Sequence, residues 1–337
     1  MKGLKSILFA AATLIAVPAV ISSCSDWTEA EPEDFYVAPT PGYQANLKDY
    51  FNSPHKVTFG WFGNWVGTMP QNSLCGLPDS VDYVGLWLCW GNLTPDQQAD
   101  LDAFHARGSR TVMSWTARNI GENLTPEGYT PEEYWGFTTE KDKDGVGLQS
   151  RIEAAKRYAQ AIVDTCTKYR IGGFDLDMEA TGTLMSASEP QIVNEFLRYL
   201  RAEFDKQDKW LCVDIPGGSG WAYTYYGMLD SDVVESLNYI MWQTYEIADA
   251  GIDSFFDYVK QLKPAIFEKA LAKSVICATF ERAQDKHFYL EQSVYRNKYG
   301  LPHAGQGAYH IEYDYPGNPD YSTVRRGIAI QNPPINN

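Results

Sequence analysis

Apolar, β-rich runs recur along the chain, and each is followed by a stretch long enough for a helix. Several of these runs are almost continuously hydrophobic, which is typical of parallel strands covered on both faces. The pattern predicts eight strands, at residues 57–65, 81–90, 110–116, 172–179, 210–216, 237–246, 274–281 and 307–315. Eight β/α alternations over roughly 260 residues favour a single-domain α/β fold, the (β/α)8 TIM barrel.

The segments between the strands carry helix signals. Thr94-Pro95-Asp96 predicts an N-cap, a proline at the first helical position and an acid in the first turn. Gly108 predicts the end of that helix. Two later segments have apolar residues at every fourth position, which predicts helix faces that pack on the sheet: Ala154, Tyr158, Ile162 and Cys166, then Ile192, Phe196, Leu200 and Phe204. A doubly wound sheet is the alternative, but the turn after the first strand, GWFGNW, lacks a glycine-rich phosphate-binding pattern.

The first 23 residues are typical of an export signal. Lys2 and Lys5 precede an apolar run that is too short and too rich in alanine for a membrane span. The run ends in Ile21-Ser22-Ser23-Cys24, which resembles a bacterial lipobox and predicts a lipoprotein signal peptide over residues 1–23, with lipidation of Cys24. An ordinary secretory signal is the alternative.

An acidic tether follows the predicted lipidation site, over residues 24–45, and residues 46–337 form the folded domain. The acidic stretch directly after the cysteine, SDWTEAEPEDF, resembles the surface-export signal of Bacteroidetes lipoproteins. These features predict an outer-membrane lipoprotein in the cell envelope, attached to the membrane through a lipid anchor and exposed at the cell surface.

Composition and charge exclude several classes of function. The chain has 337 residues, of which 44% are hydrophobic and 21% charged, so it is not a disordered protein. A net charge of −15 repels phosphate backbones, which argues against a nucleic-acid partner. The sequence has six cysteines, Cys24 among them, without a CxxC pair, and five histidines without metal-ligand spacing. We therefore predict no disulfide framework, no metal site and no cofactor, and we expect a monomer.

Three acids occupy alternate positions of the fourth predicted strand. Asp175, Asp177 and Glu179 share one face of the strand, while Phe174 and Leu176 take the other. In a closed barrel the acidic face is the interior, and the last acid lies at the C-terminal rim, where barrel active sites are built. Mutual repulsion and burial predict a raised pKa for at least one carboxyl group. An acid that stays protonated beside an ionised carboxylate suits the cleavage of a glycosidic bond.

The same spacing of acids also fits two alternatives without catalysis. The acids could form the solvated face of an edge strand, or they could bind a hard cation. The apolar flanks and the central place of the strand in the series disfavour an edge. The sequence also lacks the spaced oxygen ligands of an EF-hand loop, which disfavours the cation.

The segment GGFDLDME resembles the DGxDxDxE signature of glycoside hydrolase family 18, which contains chitinases and endo-β-N-acetylglucosaminidases. Asp175, Asp177 and Glu179 match the signature, whereas Gly172 stands where its first Asp is found. On the sixth strand, the pair Gln243 and Tyr245 resembles the QxY of the family's endoglycosidase branch. The resemblance extends over residues 55–315. The Gly172 departure puts the tuning of the Asp175 carboxyl group in question.

The resemblance implies substrate-assisted retaining hydrolysis of an N-acetylated sugar. Glu179 would protonate the glycosidic oxygen, and the 2-acetamido carbonyl of the substrate would attack the anomeric carbon. Asp177 would orient the acetamido N–H and stabilise its developing charge, with Asp175 as its hydrogen-bond partner. Gln243 and Tyr245 would position the acetamide.

Several tryptophans lie near predicted strand ends, where a ring can stack on a sugar or simply pack in the core. The candidate substrate contacts among them are Trp61, Trp115, Trp221 and Trp242, and Trp65, Trp87 and Trp90 also lie near predicted strand ends where they could stack on a sugar. The segment 117–150 after the third strand is a candidate recognition loop.

Only a short connection separates strands seven and eight, so we expect no large insertion there and an open cleft. These features predict an endo-β-N-acetylglucosaminidase that cuts between the two core GlcNAc residues of N-glycans. A chitinase-like hydrolase of GlcNAc oligomers is one alternative. A non-catalytic surface glycan-binding protein on a family 18 barrel is the other.

Overall fold

The structure is a computed structural model, and it describes residues 40–140 and 146–333. The predicted signal peptide, Cys24 and most of the predicted tether lie outside the described residues. The first helix begins at Pro41, so the last residues of the predicted tether are helical. The predicted recognition loop at 117–150 is described except for residues 141–145.

Eight parallel strands close into a barrel in the order of the chain, β1 to β8, with β8 paired to β1. The strands are β1 Val57–Phe62, β2 Tyr83–Trp87, β3 Arg110–Trp115, β4 Gly173–Asp177, β5 Trp210–Pro216, β6 Tyr239–Gln243, β7 Ser274–Thr279 and β8 Gly305–Tyr309. This architecture confirms the predicted TIM barrel and excludes the doubly wound sheet. Because no strand of the barrel is an edge, the acidic face of β4 cannot be the solvated face of an edge strand.

Strands β1 to β7 lie within their predicted runs, although β2 and β6 are only half as long as predicted, and β8 is displaced. β5 spans the predicted residues, 210–216. β8 begins at Gly305 and ends at Tyr309, whereas the sequence predicts a strand at 307–315. His310 has a left-handed backbone, with φ of 53°, and a 3-10 turn, Ile311–Asp314, follows it. This left-handed residue ends the strand although the alternation of polar and apolar residues continues.

Helices surround the barrel. Within the described residues they are α1 Pro41–Asn52, α2 Pro95–Ala106, α3 Pro131–Trp135, α4 Val146–Lys168, α5 Gln191–Asp205, α6 Ser219–Trp221, α7 Ser231–Ser236, α8 Asp249–Leu262, α9 Phe267–Ala272, α10 Lys286–Val294 and α11 Ser322–Gln331. Thr94 caps α2 in a capping box with Gln97, and Gly108 follows its end with φ of 109°, as predicted. Both predicted apolar stripes, on α4 and α5, are buried.

The barrel has two hydrophobic layers that alternate along each strand. Side chains that point inward form a small inner core with Phe59, Trp61 and Tyr83. Side chains that point outward join the helices in a much larger core that includes Phe174 and Leu176. This alternation decides which strand residues reach the mouth of the barrel and which lie beneath the helices.

The connection from β7 to β8 spans residues 280–304 and holds one 3-10 turn and α10, so no large insertion is present. The cysteines of the described residues, Cys75, Cys89, Cys166, Cys212 and Cys277, are free thiols. Within the same residues, no helix combines the length and the apolar character needed to cross a membrane.

Candidate active site

The acids of β4 point into the barrel, as the alternation predicts. Asp175 and Asp177 are fully buried inside, while Phe174 and Leu176 pack outward against the helices. Gly173 lets β4 approach β5, because a Cβ there would lie 2.0 Å from the backbone carbonyl oxygen of Trp210. Close backbone packing between β4 and β5 therefore requires a glycine at position 173, where the inward-pointing face of β4 begins.

Asp175 is the deepest acid of the site. Its Oδ2 accepts hydrogen bonds from Trp61 Nε1 at 3.0 Å and from Ser114 Oγ at 2.8 Å. Its Oδ1 is buried and, among the described residues, accepts no hydrogen bond from an amide, hydroxyl or cationic donor. Burial raises the pKa of Asp175 to about 6, although hydrogen bonds with Ser114, Trp61 and the Asp214 carboxyl group favour the ionised form and oppose this rise.

Asp177 lies one step nearer the mouth. Thr116 Oγ1 donates a hydrogen bond to Asp177 Oδ2, and Gln243 Nε2 lies 3.4 Å from its Oδ1. Burial, followed by repulsion from the Glu179 carboxylate, raises the pKa of Asp177 to about 8. The raised pKa expected for at least one acid of this strand is thus found at both buried aspartates.

Asp214 on β5 is a third buried carboxyl group, which the sequence patterns did not single out. It pairs in register with Asp177, and its Oδ1 accepts a hydrogen bond from Gln243 Nε2 at 2.6 Å. Its Oδ2 accepts no hydrogen bond from an amide, hydroxyl or cationic donor among the described residues. Burial, then repulsion from Asp177 and Asp175, raises the pKa of Asp214 well above the usual range. The sequence does hold a signal for it: Asp214 is an acid within the apolar run WLCVDIP, at a position whose side chain points into the barrel, on the strand next to the acidic one.

These three aspartates, which we call the aspartate cluster, cannot all ionise near neutral pH. In the part of the chain that the structure describes, no Lys, Arg or His forms an ion pair with any of them. The cluster therefore holds protons that it can redistribute when a charge appears beside it. A positive charge that develops on a bound substrate would be stabilised there by ionisation of Asp177.

Glu179 lies beyond the end of β4, at the mouth of the barrel. Its side chain is exposed, and it lines a pocket of about 110 Å³ above the aspartate cluster. The pocket is lined by Trp61, Trp87, Asp177, Glu179, Asp214, Gln243, Tyr245 and Tyr309. The acid predicted to protonate the substrate therefore faces a cavity, with buried carboxyl groups on the same wall.

Aromatic side chains form the remaining walls of the pocket. Tyr245 stacks on Tyr309, with ring centroids 6.0 Å apart and an interplanar angle of 22°. Trp87 meets Tyr309 edge-on at 5.6 Å. Burial, followed by repulsion from Asp214, raises the pKa of Tyr245 well above the usual value, so its hydroxyl group stays protonated. The predicted residues Tyr245 and Trp61 are thus at the pocket. They are joined by Trp87, one of the tryptophans near predicted strand ends, and by Tyr309, which was not a predicted site residue.

The remaining predicted tryptophans divide into two groups. Trp115 points outward from β3, where its Nε1 donates to Tyr158 Oη at 3.2 Å. Trp242 points outward from β6, and its Nε1 donates to Ser274 Oγ at 2.9 Å. Both are buried beneath the helices, so the structure does not bring them to the pocket and they are not candidate sugar contacts.

Trp221, in contrast, is 46% exposed beyond the end of β5. It stacks on Tyr225, with ring centroids 5.7 Å apart and an interplanar angle of 14°. Burial raises the pKa of Tyr225, and the Glu179 and Asp177 carboxylates add to the rise, so this phenol is within range of their charge. The Trp221–Tyr225 pair therefore forms an aromatic surface on the β5 side of Glu179.

Gly172, where the signature's first Asp is found, lies below the aspartate cluster. It precedes β4 and has the strand parity of Phe174, which points outward. A Cβ there would lie 2.7 Å from the carbonyl oxygen of Thr111 on β3. A side chain at this position would thus point away from Asp175, and the hydrogen bonds that tune Asp175 come from Trp61 and Ser114 instead.

An acidic site of this kind could in principle hold a metal ion. Across residues 40–140 and 146–333, no group of three or more His, Cys, Asp and Glu side chains is arranged to hold one. The aspartate cluster instead combines carboxyl groups of raised pKa with an exposed acid and an aromatic-walled pocket. That combination suits proton transfer to a sugar leaving group.

Several known proteins are similar to this chain in sequence or in fold. The sequence matches the model of glycoside hydrolase family 18, BT1044-like, over residues 27–209, more than half of the chain. A solved selenomethionine variant of BT1044 is similar at 28% identity with a TM-score of 0.72, and the match covers 88% of this chain and 94% of that chain.

Two further solved structures share the barrel at lower identity. The apo endo-β-N-acetylglucosaminidase of Cordyceps militaris matches at 17% identity and a TM-score of 0.64, covering 88% of this chain and 98% of that chain. A family 18 chitinase of Pseudoalteromonas aurantia matches at 12% identity and a TM-score of 0.55, covering 80% and 97%. A search of curated proteins gave no significant match.

Proposed function

Because the chain belongs to glycoside hydrolase family 18, we propose that it is an endo-β-N-acetylglucosaminidase that cleaves the β-1,4 bond between the two core GlcNAc residues of N-glycans. One observation carries the proposal: Glu179, Asp177, Gln243 and Tyr245 line the same pocket. The acid and the acetamide-binding side chains predicted from two separate strands therefore meet at one pocket, which supports their action on the same N-acetylated sugar.

The reaction is substrate-assisted and retains the anomeric configuration. Glu179 donates its proton to the glycosidic oxygen as the bond to the anomeric carbon breaks, and the acetamido carbonyl oxygen of the same sugar forms the new bond. The leaving GlcNAc, still attached to protein, departs with the proton. Glu179, now ionised, takes a proton from water, whose oxygen opens the oxazolinium ion and restores the acetamide.

Asp177 supports the positive charge that develops on the acetamido nitrogen. Its raised pKa means that it accepts the acetamido N–H most strongly once it loses its own proton to the cluster. Gln243 already donates to Asp214 and lies within reach of Asp177, so it orients these acids. The Tyr245 hydroxyl group, protonated and lining the pocket, is the donor for the acetamide oxygen.

An open cleft supports endo action on a branched glycan. The connection from β7 to β8 adds no domain over the mouth of the barrel. Glu179 is exposed at the mouth, so a leaving group as large as a glycoprotein can approach it. The solved endo-β-N-acetylglucosaminidase with the same barrel shows that this fold accommodates such an activity.

The product spectrum tests the proposal directly. The chain and a Glu179→Gln variant are incubated with a high-mannose glycoprotein, a complex-type glycoprotein and chitin oligomers, and the products are analysed by mass spectrometry. We expect the wild-type chain to leave one GlcNAc on the protein and the variant to release nothing. Cleavage confined to chitin oligomers would instead establish a chitinase, and glycan binding without any product would establish a binding protein.

We also propose that the enzyme acts at the cell surface as an outer-membrane lipoprotein anchored through Cys24. Support comes from the lipobox-like run before Cys24 and the acidic residues after it. Metabolic labelling with a radioactive fatty acid, followed by immunoprecipitation, tests this anchor. Label is expected on the wild-type chain and not on a Cys24→Ser variant, and equal labelling of both would refute the anchor.

A further inference from the structure

A second cavity, of about 600 Å³, lies beside the catalytic pocket at the ends of β1, β2 and β8. We call it the β1–β2–β8 hollow. Trp87 and Tyr309 line both cavities, so the two cavities are adjacent at this aromatic pair. Ligand sites in proteins measure roughly 300 to 1,000 Å³. The catalytic pocket, at about 110 Å³, is below that range, and the hollow is within it.

The walls of the hollow combine apolar faces with hydrogen-bonding groups. Trp90 is 37% exposed and Leu88 56% exposed, which is unusual for large apolar side chains without a ligand or partner. Asn64 and Asn92 present exposed amides along the same cavity. A sugar ring has apolar C–H faces and a rim of hydroxyl groups, so this mixture matches the chemistry of an oligosaccharide.

The backbone around the hollow is held in a costly conformation. Four non-glycine residues of its lining have left-handed φ values: Asn64 at 52°, Leu88 at 58°, Asn92 at 58° and His310 at 53°. For a branched apolar residue this conformation costs roughly 1–2 kcal/mol. Such strain persists where the surrounding structure fixes it, and it concentrates at functional sites. Its concentration along one cavity indicates a surface shaped for a ligand.

His310 is the polar group of the hollow with the most fixed orientation. Its Nδ1 lies 2.7 Å from Oε1 of Glu312, whose side chain is only 3% exposed. The imidazole also stacks on Tyr313, with ring centroids 4.4 Å apart and an interplanar angle of 4°. A carboxylate at Nδ1 selects the Nδ1–H tautomer, which leaves Nε2 as a hydrogen-bond acceptor for a hydroxyl group.

The Glu312 side chain is buried behind His310. Its Oε2 is buried without a partner among the described residues, so the carboxyl group is not saturated by the fold. The contact with His310 Nδ1 is thus the one side-chain hydrogen bond of this carboxyl group among the described residues, so its Oε1 serves to orient the imidazole. His310 thus lines the hollow, and Glu312 supports it from behind as its Nδ1 partner.

The place of Glu179 sets the direction in which a glycan enters. Glu179 lines the catalytic pocket but not the hollow, and the Trp221–Tyr225 pair lies beside it beyond β5. In the closed eight-stranded barrel, β5 is opposite β1. Under the proposed function, the acid protonates the bond being broken, so the leaving GlcNAc lies on the Trp221–Tyr225 side. The oligosaccharide that is released lies on the opposite side, toward the hollow.

We propose that the β1–β2–β8 hollow binds the mannose branches on the non-reducing side of the cleaved bond, and that His310, oriented by Glu312, determines specificity there. This inference rests on the proposed function for its direction. It adds to that function the residues that recognise the branches. Binding and cleavage are separable, so the two proposals can be tested independently.

The test measures binding by isothermal titration calorimetry in the Glu179→Gln background, where substrate is not consumed. Two ligands are compared: a high-mannose oligosaccharide with a single reducing-end GlcNAc, and a peptide bearing one GlcNAc on asparagine. His310→Asn removes the imidazole and keeps a residue that tolerates the left-handed backbone. We expect about tenfold weaker binding of the oligosaccharide and unchanged binding of the GlcNAc peptide.

His287→Ala is the matched control, because this histidine is exposed on α10 and outside both cavities. It is expected to alter neither affinity. Trp90→Ala, in the wall of the hollow, is a second probe and is expected to weaken oligosaccharide binding as well. Circular dichroism of each variant confirms that it is folded before affinities are compared.

Each contrary outcome overturns a defined part of the inference. Unchanged oligosaccharide affinity in both His310→Asn and Trp90→Ala refutes the hollow as the branch site. Loss confined to the GlcNAc peptide assigns the hollow to the leaving group and reverses the proposed direction. If the oligosaccharide binds as proposed but wild-type chain cleaves no N-glycan, the proposed function fails while the binding site stands.

Discussion

Buried carboxyl groups at the two ends of the barrel differ in how completely their oxygens are hydrogen-bonded. At the N-terminal end, directly before β2, the Asp82 carboxyl group is 7% exposed. Its Oδ1 lies 2.6 Å from His55 Nε2, and its Oδ2 accepts the backbone N–H of Thr58 at 2.7 Å. Both oxygens thus have donors, and one of the donors is a side chain that can carry a positive charge.

At the C-terminal end, the aspartate cluster lacks this saturation. Among the described residues, Asp175 Oδ1 and Asp214 Oδ2 accept no hydrogen bond from an amide, hydroxyl or cationic donor, and Asp214 shares hydrogen bonds only with the other carboxyl groups of the cluster and with Gln243. Burial of an unsatisfied acceptor lowers stability by roughly 1–3 kcal/mol, so such groups are retained where function needs them. The N-terminal end of a barrel serves stability and the C-terminal end serves chemistry. The contrast assigns Asp82 to the fold and the aspartate cluster to the reaction.

Asp177→Asn gives the largest effect that this contrast predicts. The variant keeps the shape of the side chain but cannot become an anion beside the acetamido nitrogen. Loss of one preorganised electrostatic group lowers kcat by roughly 10²–10³-fold. We expect a fall of that order in kcat on a high-mannose glycopeptide, measured by product release, with a melting temperature no lower than that of the wild-type chain. Near-wild-type kcat would remove Asp177 from the reaction.

Asp82→Asn tests the other end of the barrel. The substitution breaks a buried pair and leaves His55 without its carboxylate, and breaking such pairs lowers the free energy of unfolding by roughly 3–5 kcal/mol. We expect a melting temperature several degrees lower, measured by thermal denaturation, and unchanged kcat at a temperature where the variant is folded. A loss of kcat without a loss of stability would contradict the division between the two ends.

The pH dependence of stability sharpens the contrast further. Burial raises the pKa of Asp175 to about 6 and of Asp177 to about 8, from an ordinary value of 3.8. The folded state therefore keeps protons that the unfolded chain releases, so this contribution to stability is complete below about pH 4 and is lost as the pH rises through 6 and 8. Asparagine at position 177 cannot titrate, so Asp177→Asn removes the part of this pH-dependent loss of stability that Asp177 causes. We expect the free energy of unfolding of this variant to equal that of wild type at pH 4 and to exceed it by about 1–3 kcal/mol at pH 8, measured by urea denaturation.

Asp82→Asn has an effect of the opposite sign, a loss of stability, and this effect is largest at low pH instead of high pH. The hydrogen bond to Asp82 raises the pKa of His55 above its usual 6.5, so the charged pair stabilises the fold below that raised value and weakens above it. The stability lost in Asp82→Asn is therefore greatest while His55 is protonated and Asp82 is ionised, and it shrinks as the pH rises. A loss of stability in Asp82→Asn that does not shrink as the pH rises above the pKa of His55 would show that the charged pair does not stabilise this end of the barrel.

The sequence predicts the fold further than it predicts the site. The hydrophobic runs identify all eight strands of the barrel, because parallel strands covered on both faces must be apolar. The acidic face of β4 follows from the same alternation. The end of β8 could not be predicted from the pattern. The alternation of polar and apolar residues continues to residue 315, whereas the left-handed backbone of His310 ends the strand at Tyr309.

The site is less predictable because it depends on contacts between strands. Asp214 is a single acid in an apolar run, and only its register with Asp177 reveals it as part of the cluster. Trp115 follows Ser114 and precedes Thr116, two polar residues that point inward, so the parity of β3 already places this tryptophan under the helices. Tyr309 reaches the pocket because β8 closes on β1, which no local pattern encodes.

Thr116→Val gives the smallest and most specific effect on the cluster. Thr116 donates a hydrogen bond to Asp177, and this bond favours the ionised carboxylate. Valine has nearly the same shape but no donor, so its introduction raises the pKa of Asp177 further. One hydrogen bond of about 1 kcal/mol corresponds to a shift of roughly one pH unit.

We therefore expect the limb of the kcat/KM profile that reports Asp177 to move to higher pH by about one unit in Thr116→Val. Thr111→Val, on the same strand, is the matched control, because Thr111 contacts His105 instead of the cluster. Its pH profile is expected to match wild type. A shift in both variants would indicate a general change in β3, and a shift in neither would mean that the donors around the cluster do not set its protonation. The specific shift alone would show that the sparse hydrogen bonding at this end of the barrel, unlike that around Asp82, tunes a proton that the reaction uses.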